Sequence, residues 1–342
     1  MRRFLLACGL LCLYGVVSAN VVKLIIDTDM SSDCDDAAAL CIAHAMHDRG
    51  EAELVGVVHD TGLDTGVCAI SAINTYYGRQ VPVGAYKGAF ASMERGAYVD
   101  DLCKRFPTDA KLRNSSTAPD AVAVYRSVLA SQPDSSVVIA SIGFTTNLEA
   151  LLRSGPDAHS ALSGTELVAA KVSQVAWMGG LYPRSGNGTA LPRGEWNFAH
   201  DGLPFVGAST YSTMKQWPEK VPRVFSGWEI GNGIMTGGVL TNGSSPANPC
   251  RAAFIDRQGP SNNRASWDPA TVLYAVRGLA GGGWTAHRSG GNRVDLTGIN
   301  TWVEDGVGHN QSYLVQQGSP GEVAKAIDAL LLQPPGPALR AA

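Results

Sequence analysis

The sequence predicts one α/β domain with a mainly parallel central sheet flanked by helices, and three observations carry that expectation. Short apolar, β-branched runs alternate with helix-like stretches, the pattern of strands buried on both faces of a parallel sheet. Several of those runs end in residues of site type, where open α/β sheets place their ligands. The chain has 342 residues, 45% apolar content and a net charge of −3, enough for one large or two ordinary domains. With neither an internal repeat nor a convincing linker, one domain over residues 20–332 is the reading.

The elements follow in order. Val22–Ile26 reads as the first strand and Asp36–Met46 as the helix after it. Leu54–Val58 and Thr65–Tyr77 repeat the unit, as do Val137–Ile142 and Thr146–Leu152. Val172–Met178 is the next strand, and Val221–Phe225 another that Pro222 interrupts. The strand ends carry Asp27-Thr28-Asp29, His59-Asp60-Thr61, Gly143 to Asn147, and Met178-Gly179-Gly180, which points to one shared pocket. Gly, Pro, Asn and Ser crowd 181–201 and 237–266, which predicts long surface loops. The Pro/Ala-rich tail, 333–342, is expected to be disordered.

Met-Arg-Arg followed by an apolar stretch from Phe4 to Val17 and then Ser18-Ala19 reads as a signal peptide over residues 1–19. It is too short for a spanning helix, and no later apolar run reaches the length of about 20 that one needs. A secreted protein with no membrane association after leader removal is expected. Mild acidity without Lys/Arg clusters argues against a nucleic-acid partner. Of seven cysteines, Cys8 and Cys12 leave with the leader. The odd remainder of Cys34, Cys41, Cys68, Cys103 and Cys250 leaves at least one thiol unpaired. Cys103 with Cys250 is the pairing considered, with the other three read as core or near-site thiols. Asn114, Asn187, Asn242 and Asn310 each begin a glycosylation sequon,.

The strongest chemical signal is Asp27-Thr-Asp-Met-Ser-Ser-Asp-Cys-Asp-Asp36. Five carboxylates this close raise one another's pKa, and a hard divalent cation reverses that by taking oxygen ligands. Asp33, Asp35 and Asp36 would also suit the first turn of a helix, each stabilising it by roughly 0.3–1 kcal/mol. That leaves Asp27 and Asp29 unexplained, because Asp is a poor strand residue.

Four separated motifs, in order, resemble the inosine-uridine-preferring nucleoside hydrolase family. They are the loop Asp27 to Asp36 continuing to Leu40, Ser141-Ile-Gly-Phe-Thr-Thr-Asn-Leu148, the run from Met178-Gly-Gly through Gly186-Asn-Gly-Thr189 to Glu195-Trp-Asn197, and Trp267-Asp-Pro269. They span roughly residues 22 to 276, a single-domain length. The resemblance implies the Rossmann-like fold of that family and a Ca²⁺ ion on the pocket floor. Asp29, Asp36 and Asp268 would be its carboxylate ligands and Thr146 its main-chain carbonyl ligand. Asp35 would be the general base, with Asp27 as a buttress. Asn187, Glu195 and Asn197 would grip the ribose 5′ side, where hydrogen bonds tighten on an oxocarbenium-like transition state, and Met178 would line the substrate site.

Two departures stand out. The usual loop, Asp-x-Asp-Pro-Gly-x-Asp-Asp, is two residues shorter, so Asp33 is additional. Many members have His before the last aspartate, where it protonates the leaving base; here Trp267 stands there. Trp267 would instead stack a purine, with Trp196, Trp228 or Tyr182 as second aromatic. His59 and His200 are the alternative acids, while His44 and His47 read as surface residues of the first helix.

The expected function is therefore a secreted, Ca²⁺-dependent N-ribohydrolase, purine-preferring as a secondary reading, acting on a small-molecule nucleoside. A homo-oligomer is compatible with the chain. Two rivals remain: a nucleoside or ribose binder that has lost turnover, and a Mg²⁺ phosphohydrolase built on Asp27-Thr28-Asp29. The second leaves Glu195-Trp-Asn197 without a role.

Overall fold

Strand β1 (Val22–Thr28) anchors the architecture because Leu24, Ile25 and Ile26 are all buried. Leu24 and Ile26 join one core cluster and Ile25 the other, as the two-residue alternation of a strand covered on both faces requires. The computed structural model describes residues 21–88, 96–183, 194–200, 202–307 and 309–336. The expected signal peptide lies outside them.

Helix α1 (Asp35–Asp48), strand β2 (Ala52–His59), helix α2 (Asp64–Tyr76) and strand β3 (Val83–Ala85) complete the first units. Helices α3 (Ala97–Arg105) and α4 (Ala121–Ser131) precede strand β4 (Val137–Ser141). Then come α5 (Thr146–Arg153), α6 (Gly164–Lys171), β5 (Val172–Met178), α7 (Pro204–Gln216) and β6 (Arg223–Ser226). Pro222 sits just before β6, where its missing N–H costs no ladder bond. The sheet order is β3-β2-β1-β4-β5-β6, extended by β12 (Gln311–Gln316) and β9 (Trp284–His287). All neighbouring pairs are parallel except β12 with β9. Chain order therefore reverses between β1 and β4, and the crevice at such a switch point is the ligand site of doubly wound sheets.

The region 237–266 departs from the expected surface loop. After helix α8 (Trp228–Gly231) and strand β7 (Met235–Thr236), it forms α9 (Gly238–Gly243), α10 (Pro249–Gln258) and β8 (Arg264–Ala265). The Asn and Pro residues that suggested loop cap a helix instead: the Asn248 side chain accepts from the backbone N–H groups of Cys250 and Arg251, and Pro249 opens α10,. Helix α11 (Trp267–Arg277) follows, then the hairpin β10 (Gly291–Val294) with β11 (Asn300–Val303), and finally α12 (Pro320–Leu331). No helix among the described residues is long and apolar enough to cross a membrane.

Cysteine pairing differs from the expectation. Cys41 bonds Cys250 and Cys68 bonds Cys103, with Cα–Cα distances of 6.6 and 5.6 Å, leaving Cys34 free and buried. The first bridge ties α1 to α10, elements 209 residues apart. His44 is another correction. It is fully buried, bonds Asn74 Oδ1 at 2.8 Å and stacks on Tyr77 with ring centroids 4.6 Å apart. Burial lowers its pKa to about 3, so it stays neutral. It escaped a surface reading only in three dimensions, since α1 is buried on nearly every side. His47 is half-buried. At the far end, Gln333 donates to the Ala45 carbonyl and the Gly336 N–H to Asp48. The expected tail is thus docked on α1 as far as residue 336.

Candidate active site

The carboxyl end of β1 builds the site. The Thr28 hydroxyl accepts the Met30 N–H at 3.2 Å and itself donates to Asp36. The Ile142 N–H donates to the Asp27 carbonyl at 2.7 Å, so the β1 and β4 ends stay zipped past the last strand residue. Gly143 follows, and a Cβ there would lie 2.4 Å from Asp60 Oδ2 and 2.5 Å from the Asp29 backbone nitrogen. Only glycine permits that approach.

Asp35 and Asp36 are the first two residues of α1, so they serve the helix terminus and the site together. Asp268, second residue of α11, meets them from the other side. One oxygen of each of these three buried carboxylates lies within 4.8 Å of the others, an arrangement able to hold a metal ion. The Asp268 N–H also donates to Asp35 Oδ2 at 3.3 Å. Burial, reinforced by the neighbouring aspartates, pushes all three carboxyls well above the usual range. The same causes raise Asp60, and burial raises Asp29 to about 7. An all-oxygen set without sulfur or nitrogen suits a hard cation.

A cavity of roughly 340 Å³ opens over this cluster, lined in part by Asp29, Asp35, Asp36, Asp268, Met178, Glu195, Asn197 and Trp267. Those eight were all read as site residues from the sequence. Thr146 is buried and does not line the cavity, and its hydroxyl donates to the Asp60 carbonyl at 2.6 Å. Asn187 lies outside the described residues. Asp27 is buried away from the cavity and accepts from Tyr125 Oη and Asn147 Nδ2, both at 2.8 Å. These bonds make it a strut under the loop.

Glu195 accepts backbone N–H groups from Gly180, Asn197 and Phe198 at 2.9–3.2 Å. It holds the 195–198 turn against the end of β5, and burial raises its pKa to about 7. Asn197 Nδ2 donates to the carbonyls of Ile142 and Met178 at 3.2 and 3.1 Å, bridging the β4 and β5 ends.

Trp267, also in the lining, faces Trp228, their ring centroids 6.4 Å apart and planes inclined by 29°. Trp267 Nε1 donates to the Trp228 carbonyl at 2.9 Å. Trp196 and Trp228 both line the cavity. Tyr182, the other aromatic considered, does not: it is buried against Phe225 and Tyr313. Neither alternative acid lines the cavity. His59 Nε2 lies 3.2 Å from the Met30 carbonyl and satisfies it, and His200 packs on Trp196. If Trp267 stacks the base, Trp267→Ala should raise KM for a purine nucleoside by about 5- to 150-fold, the equivalent of ~1–3 kcal/mol. An unchanged KM would remove Trp267 from base recognition.

Sequence reasoning missed Arg264 and Arg257, which also line the cavity. Arg264 pairs with Asp33 at 3.0 Å through Nε, and Arg257 Nε donates to the Ser32 carbonyl at 2.8 Å. Both clamp the lengthened loop from residues more than 200 positions away. A sequence signal existed only in Asp33, whose charge lacked a nearby partner.

A family model described as inosine-uridine preferring nucleoside hydrolase matches residues 24–305. No curated protein matches the chain. Among solved structures, an inosine-guanosine nucleoside hydrolase is 19% identical, covering 90% of this chain and 98% of its own with a TM-score of 0.66. A purine-preferring ribonucleoside hydrolase from Gardnerella vaginalis is 17% identical, covering 91% and 99% with a TM-score of 0.63. A type III effector protein, XopQ, solved with adenosine diphosphate ribose, is 16% identical, covering 91% and 93% with a TM-score of 0.63. At these identities the structures speak for the fold.

Proposed function

The chain belongs to the inosine-uridine preferring nucleoside hydrolase family, a family of hydrolases of N-glycosyl compounds, and from that premise we propose a secreted, calcium-dependent N-ribohydrolase that prefers purine nucleosides. The observation that carries this reading is the grouping of Asp35, Asp36 and Asp268, with ligand oxygens within 4.8 Å of one another, in the lining of a cavity that Trp196, Trp228, Trp267, Glu195 and Asn197 share. Three buried carboxylates need a cation to remain ionised together. Their all-oxygen donor set fits calcium, with Asp29 lining the same cavity and Thr146 read as the carbonyl ligand from the family resemblance,.

When bound, the cation supplies the charge that acidifies an attacking water and orients the sugar hydroxyls. Asp35 takes the water's proton. Asn197 and Glu195 hold the ribose 5′ side, Glu195 by fixing the turn and Asn197 by its place on the cavity wall. Trp267, with Trp228, carries the base. Two points support export: the apolar N-terminal stretch after Met-Arg-Arg, and the Cys41–Cys250 and Cys68–Cys103 bridges, which suit an oxidising compartment,. The preference for purines rests on the two stacked tryptophans and the larger area a purine covers.

The mature protein incubated with inosine, guanosine, adenosine and uridine should release reducing sugar, fastest from the purine nucleosides, and a chelator should stop it. Release from none of them sinks the enzyme. Calcium-dependent nucleoside binding by calorimetry, without product, would then establish the binding protein.

A further inference from the structure

Among the described residues the cavity lining holds no histidine, and its cationic groups are Arg257 and Arg264. Arg257 is directed at the Ser32 carbonyl. Arg264 is placed differently. Its guanidinium carbon lies 5.0 Å from the Trp267 ring centroid, within cation–π range,. Its Nε donates to both oxygens of Asp33, and Nη2 donates to the same carboxylate. The two N–H groups of Nη1 have no hydrogen-bond acceptor among the described residues. A base resting on Trp267 would meet a fixed cation with unused donors at its edge.

We propose that Arg264, held over Trp267 by Asp33, is a catalytic residue that stabilises the departing base as an anion. The assignment rests on the N-ribohydrolase reading and adds a group at its leaving-group end. Heterolysis sends the C1′–N electron pair onto the base. A water oxygen bonds C1′, its proton passes to the carboxylate base, and the released base takes its proton from solvent. The sum is nucleoside plus water giving base plus ribose. A guanidinium keeps its proton at any working pH, so Arg264 acts by charge and hydrogen bonding and contributes no titrating limb to the rate. A preorganised donor aimed at developing charge is worth about 10²–10³-fold in kcat. Asp33 is a positioning residue: its carboxylate engages Nε and Nη2 and leaves Nη1 uncommitted on a side chain that lines the cavity. The extra loop acid and the tryptophan in place of histidine are therefore parts of one device, joined by a side chain 231 residues from Asp33.

The test compares inosine with 4-nitrophenyl β-D-ribofuranoside, whose leaving group is stable as an anion without assistance. Arg264→Met should lower kcat for inosine by about 10²–10³-fold and for the nitrophenyl riboside by less than about 3-fold. Asp33→Asn should lower inosine kcat by a smaller factor with little change in KM. The paired variant D33N/R264M, which removes both charges together, should keep the calcium affinity of the unsubstituted protein by calorimetry while showing the same substrate split. An equal fall on both substrates, or undiminished inosine turnover, overturns the assignment. Failure of the underlying reading shows up elsewhere: the unsubstituted protein would cleave neither substrate, which removes both claims at once.

Discussion

Asp35→Asn is expected to lower kcat by about 10²–10⁴-fold, the range for losing general-base help, while calcium and ribose still bind. Asn keeps the shape and can still accept the Asp268 N–H that Asp35 Oδ2 takes at 3.3 Å, so α11 should not move. The comparison is sharp because Asp35 lies with Asp36 and Asp268 in a cluster able to hold a metal ion, their ligand oxygens within 4.8 Å of one another, while Asp29 lines the same cavity. Asp29→Asn run in parallel should weaken calcium binding. Calcium titration and single-turnover rates on both variants separate the roles. If Asp35→Asn loses the metal and Asp29→Asn keeps it but loses turnover, the two aspartates exchange assignments.

Removing the metal should cost more. Chelation, or Asp268→Ala, is expected to reduce turnover by about 10³-fold or more, since several kcal/mol of charge stabilisation disappear and each ~1.4 kcal/mol is tenfold. Stability should respond with a definite sign. In the metal-free protein burial raises Asp27 and Asp29 to about 7 and pushes Asp35, Asp36, Asp60 and Asp268 well up. Unfolded carboxylates titrate near 4. The folded form thus binds protons more tightly, so this contribution is full below about pH 4 and is lost as pH rises through about 7. On the calcium reading, binding needs the ionised carboxylates, so it should release protons and tighten over the same window. Calcium at 100 times its Kd adds about 2.7 kcal/mol, or about 4 °C in Tm for a domain of some 300 residues. Thermal melts with and without chelator should diverge at pH 8 and converge towards pH 5. Identical melts at pH 8 would mean that no ion occupies the triad.

Much of this site is legible without coordinates because it hangs on strand ends. Asp27 and Asp29 break the pattern of a buried strand, and Trp267-Asp-Pro269 announces a helix start, so Asp29, Asp35, Asp36 and Asp268 stand out as chemistry. The βαβ rhythm is equally plain, since strands covered on both faces leave unbroken apolar runs. Where composition misleads, the cause is local ambiguity: Asn248-Pro249 spells loop or helix start with the same letters, and the rest of α10 decides which. His44 misleads for another reason. Its spacing from His47 suggests an outer face, but α1 has no outer face there, with Ala37 to Met46 buried throughout.

What the sequence alone determined is the strand–helix alternation of β1, α1, β2, α2, β4, α5, β5 and β6, the acidic loop at the end of the first strand and the aromatic–acid pair at 267–268. Each is written in neighbouring residues whose spacing fixes strand, turn or helix. Tertiary structure decided which carboxylates share a point, that Cys41 finds Cys250, that Tyr182 turns into the core, and that Arg264 crosses to Asp33 above Trp267. Those outcomes depend on side-chain direction and on contacts between segments more than 200 residues apart, which packing sets and local pattern does not encode.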